Sequence, residues 1–400
     1  MFMKSFKSII CSLALAVFVL GISSCNSGNK ASLNSDEYVI DFASTLNNES
    51  SVDLGTYVSE IKYIPIETND TFLLADIKAF HAGDDYLYVS CRETQSLYQL
   101  SHQGKLVKKI GNRGRAKNEY MAIRSLYSDK SSVTLEYGSK FITYNAVSGE
   151  IERIYETSDI ADVNNFNSVL FLDNGSFAIL NADKKSAENR LLIIGSNNQI
   201  IDSSIVFDTQ RRLVRTSVPS QNIVSMNGPA PDKPFVEMTL PWQYSPKLSL
   251  YNGKIQVISP FMDTILVYNG AEQHPYATVD YANITEEQRF EPTINVEYVI
   301  DVSSKMETGK FIIFKNLKGD KYLFDKESGN TCRLENGLND NIENGDPFWP
   351  DYIIGNKMYR IVSADLFIEE AEKSNSQKMK DVAATLTEES NPVIVVATLK

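Results

Sequence analysis

The chain has 400 residues, 42% of them hydrophobic, with 20 Tyr and 19 Phe, which is enough apolar surface for a substantial core and too much for a disordered chain. Its formal charge is −12, and removing residues 1–24, which carry Lys4, Lys7 and no acid, leaves a body that is more acidic still. With no basic tract to meet phosphates, nucleic acid is excluded as a partner.

Lys4 and Lys7 precede an almost unbroken apolar run from Ile9 to Ile22, and Ser23-Ser24-Cys25 follow it. This three-part layout predicts a secretory signal peptide over residues 1–24, its apolar run being shorter than the roughly 20 residues that span a bilayer. Ile22-Ser23-Ser24-Cys25 resembles the lipobox of bacterial lipoproteins, which implies cleavage before Cys25 and lipid on its sulfur. At about 0.8 kcal/mol per buried CH₂, several acyl chains on one cysteine make a lasting membrane anchor. Residues 25–37 are polar and read as a flexible tether. Asn26 is not the Asp of an inner-membrane retention signal, and no acidic cluster follows Cys25. The expected location is therefore the outer membrane, with its periplasmic face and the cell surface both open. Of the remaining cysteines, Cys91 and Cys332 either pair in an oxidising compartment or persist as free thiols. Together with the scattered His81, His102 and His274 they show no zinc-type spacing, and neither metal nor cofactor is expected.

From Tyr38 onward the pattern is all-β. Tyr38 to Phe42 and Ile61 to Ile66 are short strand candidates, and Pro65 marks the second as an edge or a bulge. Between Asp84 and Ile110 the runs YLYVSC, SLYQL and KLVKKI alternate in polarity across the turns Asp84-Asp85 and HQG, which is an antiparallel meander. Comparable strands recur around Gly104, Gly149 and Asn198 at the roughly 40–50-residue period of a propeller blade, and around Gly270 and Gly329 at longer intervals. The count predicts a six-bladed β-propeller over residues 38–400. Ring closure predicts that the terminal PVIVVATLK pairs with an early strand, most simply IKYIPIET. Two segments break the rhythm. Residues 208–244, with Pro219, Pro229, Pro231, Pro234 and Pro241, read as a long loop; residues 366–389 are Ala/Glu/Lys-rich and read as a helical insertion broken at Ser374-Asn375-Ser376.

The corner Ile110-Gly111-Asn112-Arg113-Gly114, running to Glu119-Tyr120, resembles the IGxxGxGPGEY signature of the 6-bladed β-propeller lipoproteins of Bacteroidota, relatives of NHL-repeat propellers. YIPIET, Asp263-Thr264-Ile265, Asn339-Asp340 with Pro347-Phe348-Trp349-Pro350, and Asn391-Pro392-Val393 resemble further segments of that family in the same order. Ala116-Lys117-Asn118 depart from its Gly-Pro-Gly. The resemblance implies the propeller fold and an exported location. Neighbourhood with uptake systems implies a glycan or peptide ligand, another small molecule or an outer-membrane protein as partner.

Candidate residues are few. Gly111 and Gly114 suit a tight inter-strand turn, or an anion cradle of backbone N–H groups, and Glu119 and Tyr120 suit pinning that corner. Arg211, Arg212 and Arg215, with Trp242 at the end of the same segment, form the candidate ligand surface, since cations beside an aromatic suit an anion or a sugar. The sequence carries no GxSxG, HExxH or Walker-type motif, so no catalytic residue is assigned. A binding or scaffolding module is the reading carried forward; the alternative is a propeller hydrolase or lyase with its site at the channel mouth. Several carboxylates or Asn around an ion-sized gap at that mouth favour the enzyme, and aromatics favour the binder.

Overall fold

The computed structural model describes residues 37–400 apart from 160–165, 173–174, 183–187, 209–211, 220–234, 243–245, 261, 270–271 and 292–293. The signal peptide, Cys25 and the tether to residue 36 lie outside the described residues.

The chain opens with β1 (Tyr38–Asp41), β2 (Glu49–Ser50) and β3 (Val58–Pro65), none of which starts a blade. Blade 1 follows as a meander of β4 (Ile77–Ala82), β5 (Leu87–Cys91), β6 (Leu97–Leu100) and β7 (Leu106–Ile110). Blade 2 is β8 (Ser125–Ser128), β9 (Ser132–Tyr137), β10 (Lys140–Asn145) and β11 (Ile151–Glu156). Blade 3 is β12 (Phe166–Phe171), β13 (Phe177–Ala182), β14 (Glu188–Ile194) and β15 (Ile200–Asp208). A hairpin of β16 (Arg212–Pro219) and β17 (Phe235–Trp242) intervenes. Blade 4 is β18 (Lys247–Tyr251), β19 (Lys254–Ile258), β20 (Thr264–Asn269) and β21 (Glu272–Asp280), and the short helix α1 (Glu286–Phe290) follows it. Blade 5 is β22 (Ile300–Glu307), β23 (Phe311–Asn316), β24 (Lys321–Asp325) and β25 (Thr331–Leu334). Blade 6 takes β26 (Tyr352–Ile354), β27 (Lys357–Val362) and the terminal β28 (Val393–Leu399), with β3 as its outermost strand.

The predicted six-bladed propeller is thus the fold, and the ring closes as the sequence implies. β28 runs antiparallel to β3 with Ile394 opposite Ile64 and Val396 opposite Lys62. Pro65 ends β3 on an edge where its missing N–H costs no ladder bond. β1 and β2 add in parallel to the outer edges of blades 4 and 5, pairing Tyr38 with Ala277 and Glu49 with Arg333, so they cover edges that would otherwise be open.

A propeller has no single core. Side chains alternate along each strand, so each blade is apolar on both faces and packs against two neighbours. Ala79, Leu97 and Ile123 belong to the cluster between blades 1 and 2, and Phe141, Phe177 and Leu192 to that between blades 2 and 3. Leu323, Trp349 and Val395 fall between blades 5 and 6, and Leu87, Tyr359 and Val396 between blades 6 and 1. Trp349 is 7% exposed, so it is packing and not a ligand platform. Cys91 and Cys332 are free thiols in blades 1 and 5.

The helical insertion forms α2 (Ala364–Lys373) and α3 (Gln377–Ala383), broken over Ser374 to Ser376 as expected. Ser376 Oγ accepts from Met379 N at 3.1 Å, which caps α3. Phe367 is fully buried against Tyr63, and Glu370 grips Arg360 of β27 through both guanidinium nitrogens. The insertion is thus docked on blade 6 by packing and a bidentate ion pair.

The expected long loop over 208–244 is corrected by the hairpin. Arg212 pairs with Trp242 and Pro219 with Phe235 in one unbroken register. The prolines mislead because a two-stranded ribbon leaves both outer edges unpaired. Pro219 and Pro241 can therefore sit in the strands facing outward.

Candidate functional site

Within each blade the first and third turns lie at one end of the antiparallel sheet, and these turns share one face of the ring. A cavity of about 890 Å³ opens there among the described residues, between blades 6 and 1. Its position follows from register. Lys357, Thr398 and Glu60 lie side by side across blade 6, next to the row of Tyr359, Val396 and Lys62 on the same side of the sheet. On the blade 1 side the cleft is bounded by Ala82, Gly83 and Asp84 at the first turn and by His102 and Gln103 at the third. A Cβ on Gly83 would sit 2.8 Å from Ser128 Oγ, so the close approach requires glycine. The floor is apolar and aromatic, from Leu87, Val396 and Tyr359; the rim carries Lys62, Lys357, His102 and Gln103. His102 Nε2 donates to Asp84 O at 2.9 Å, which fixes the ring on the rim.

A second cavity of about 650 Å³ adjoins it across the turn Gly355-Asn356, lined by Leu250, Tyr251, Ile353 and Lys400 from blades 4 and 6 and by Glu307 from blade 5. Behind it lies a buried charge network. Glu307 receives Lys305 Nζ at 2.6 Å and Lys326 Nζ at 2.6 Å, and the Tyr276 hydroxyl donates to it as well. Lys305 also donates to Gln256 Oε1. Lys326 sits 3.9 Å from the centroid of the Tyr251 ring, with the rings of Tyr38 and Tyr276 at 5.6 and 5.9 Å. Burial opposes ionisation of Glu307, but the two ammonium groups and the tyrosine outweigh it and hold the carboxyl below its usual range. Burial pushes the Lys305 amine down, with Glu307 working against that shift. The aromatic cage is filled by the protein's own lysine, so it braces blades 4 and 5 and leaves no vacancy for a foreign cation.

His81 and Ser128 clip blades 1 and 2 together. His81 Nδ1 accepts from Ser128 N at 3.2 Å and lies 2.8 Å from Ser128 Oγ. Burial lowers its pKa to about 4, so the ring is neutral at pH 7. Ser128 is 6% exposed, which places the pair inside the seam and not before a substrate.

The structure places the sequence-predicted residues as follows. At the Gly-rich corner, Glu119 Oε2 accepts from Ala116 N at 2.9 Å, and a Cβ on Gly114 would fall 1.8 Å from that oxygen. Tyr120 OH donates to Ile110 O at 2.9 Å and accepts from Leu97 N at 3.1 Å. Gly111 has φ +64° and lies against the Tyr144 hydroxyl. Arg212 and Trp242 face each other in register on β16 and β17, with Arg215 opposite Thr239, while Arg211 lies outside the described residues. Sequence reading missed Lys62, Lys357 and His102 because three distant segments supply them. Lys305 and Glu307 had a signal, two charges at strand spacing where alternation calls for apolar residues. Among the described residues, no cluster of three or more His, Cys, Asp or Glu is arranged to hold a metal ion, and the two cavities are lined by tyrosines and lysines together with Asp84, Glu307, Asn252 and Asn356.

Residues 37–398 match the family model described as a domain of unknown function, DUF4934. The chain belongs to the DUF4934 family. Among solved structures, a protein from Bacteroides fragilis described as exported shares the fold with TM-score 0.59 at 15% identity, covering 91% of this chain and 99% of its own. The Neurospora crassa Pan2 WD40 domain is more distant, with TM-score 0.37, 9% identity and coverage of 87% and 98%. The likeness to the Bacteroides fragilis protein speaks to fold alone. No curated protein matches the chain. DUF4934 membership and the propeller ring agree on the span of the folded body, which starts at Glu37 in both.

Proposed function

We propose that this DUF4934 chain is an exported lipoprotein, anchored through Cys25 to the outer membrane, whose propeller binds a glycan or peptide in the service of nutrient uptake. The observation that carries the binding reading is the cleft between blades 6 and 1. It joins an aromatic floor to a rim of Lys62, Lys357, His102 and Gln103, the make-up of a recognition site: apolar area for affinity and a few polar groups for orientation. The anchor rests on the lipobox-like Ile22-Ser23-Ser24-Cys25. Arg212 and Trp242, paired at one end of the hairpin, with Arg215 and Arg211, form a second proposed contact surface for the ligand or for a membrane-protein partner.

The test has two arms. Cys25→Ala should move the protein from membranes to the soluble fraction; continued tight membrane association refutes the anchor. A thermal-shift screen of glycans, peptides and divalent metals should give stabilisation by a glycan or peptide that Lys62→Ala/Lys357→Ala abolishes. A shift with metals alone refutes the binding reading and favours a hydrolase or lyase.

A further inference from the structure

A separate chamber of about 340 Å³ lies between blades 2 and 3. The register shows how it arises. On blade 1, the row His81, Tyr88, Gln99 and Lys108 faces blade 2. Tyr88 and Gln99 fill that seam, with Gln99 Nε2 donating to Ala146 O at 2.8 Å, and Lys108 Nζ reaches Val147 O in the third turn of blade 2. On blade 2, the corresponding row is Tyr127, Thr134, Thr143 and Arg153, and it faces blade 3. Arg153 reaches across as Lys108 does, donating to Gly175 O at 3.1 Å and to Asn198 Oδ1 at 2.6 Å. The two residues in the middle of the row, however, are threonines that bond each other at 2.9 Å. Where blade 1 has a tyrosine and a glutamine, blade 2 has a gap.

The gap is walled by rings. Tyr127 stacks on Phe171 with centroids 5.4 Å apart, and Phe141, Tyr155 and Phe177 close the deeper side. Arg153 stands at the edge, its carbon 5.1 Å from the Tyr155 ring centroid. Both of its named acceptors are neutral, so neither cancels its charge. The other polar side chains of the lining are Asp129, Ser131, Ser132, Glu152 and Ser176. Asp129 is engaged by Ser131 and Ser132 of its own turn, and Glu152 by Asn145. A pyranose would meet hydroxyls already engaged, those of Ser131 and Ser132 on Asp129 and those of Thr134 and Thr143 on each other. A ligand with one flat apolar ring and one anionic group matches what the walls offer.

We propose that the chamber between blades 2 and 3 is a second binding site, for a small aromatic carboxylate, with the ring against Tyr127, Phe171 and Phe141 and the carboxylate on Arg153. It is distinct from the cleft between blades 6 and 1, and shares no lining residue with it.

The test is calorimetric titration of the folded protein with phenylacetate, with 2-phenylethanol as the neutral ring, acetate as the bare anion and glucuronate as an anionic sugar. Phenylacetate should bind at least tenfold tighter than each of the other three. Thr134→Tyr/Thr143→Gln, which copies the filling of blade 1, should weaken phenylacetate at least tenfold while the protein stays folded by circular dichroism. Arg153→Met should bring phenylacetate and 2-phenylethanol to within about twofold of each other. The proposal is overturned if phenylacetate shows no heat at millimolar concentration, if glucuronate binds as well, or if the refilled variant or Arg153→Met leaves the titration unchanged. If Thr134→Tyr/Thr143→Gln fails to fold, the Arg153→Met titration decides alone.

Discussion

Removing β28 tests the account of how the ring holds together. The strand joins the two ends of the folded body within one sheet, since it hydrogen-bonds to β27 on one side and to β3 on the other. Val393 and Ile394 are 0% exposed, and Val395 and Val396 are 5% exposed. At about 1.5–3 kcal/mol for each aliphatic side chain taken fully from water, these four contribute roughly 6–12 kcal/mol. A domain's net stability is about 5–15 kcal/mol, so a chain ending at Pro392 should not hold a cooperative fold. The graded version is Ile394→Ala, expected to cost about 2–5 kcal/mol, against Ile201→Ala as control, within about 0.5 kcal/mol because Ile201 is 62% exposed on the outer strand of blade 3. Urea unfolding followed by near-UV circular dichroism reads both. A truncated protein with an unchanged midpoint, or equal losses at the two isoleucines, would refute closure by this strand.

Two further outcomes follow from the charged seams. Glu307→Gln should destabilise by about 3–5 kcal/mol in urea unfolding, because it strands Lys305 and Lys326, whose side chains are 2% and 4% exposed, without a counter-charge; Lys305→Met, which leaves the Glu307–Lys326 pair, should cost clearly less. His81 gives a pH signature. Its folded pKa, about 4, lies below the unfolded 6.5, so the unfolded chain takes up the proton first, and stability is full above about pH 6.5 and falls as pH drops toward 4. The whole shift corresponds to about 3 kcal/mol, of which about 2 kcal/mol falls between pH 6.5 and 5, above most carboxylate titrations. His81→Asn should flatten that part of the stability profile, and an unchanged slope would show that the imidazole does not carry it.

The blades were legible because each rests on local signals. In blade 1, the alternation of KLVKKI and the turn at Gly104 lie within a few residues of each other, and the structure realises both. Ring closure was legible for a different reason. PVIVVATLK is too apolar to stay exposed, and the topology offers it one open edge. The hairpin of β16 and β17 was not legible, because proline content signals a loop only where both edges of a strand must donate. The cavities were hidden for a deeper reason. Lys62, Lys357 and His102 are ordinary surface residues until β28 inserts between β27 and β3 and blade 6 meets blade 1. The chamber at Thr134 and Thr143 is visible only by comparison with Tyr88 and Gln99 in the neighbouring blade. A repeat fold writes its core in the pattern and its sites in departures from the pattern, and a departure has no meaning until the repeats are laid in register.

The position of the large cleft couples recognition to closure. It lies on the seam between blade 6 and blade 1, and blade 6 is the one blade whose sheet is closed by pairing the last strand, β28, with an early one, β3. Its lining draws on Lys62 and Ile64 of β3, Lys357 and Tyr359 of β27, and Val396 and Thr398 of β28, with Leu87 and His102 on the blade 1 side. A ligand seated there would touch every strand whose pairing closes the ring, together with the blade across the seam. Such a ligand binds only the closed state, because the unfolded or opened chain scatters those residues. Its binding free energy therefore adds directly to closure, by about 2.7 kcal/mol at a concentration of 100 times Kd. The same logic separates the two cavities. A ligand in the chamber between blades 2 and 3 touches none of the strands that close blade 6, so local opening there leaves the ring joined at β28. Occupancy of the cleft should consequently slow hydrogen exchange in β3 and β28, whereas occupancy of the chamber should slow it in β10 and β11 and leave the closing strands unchanged.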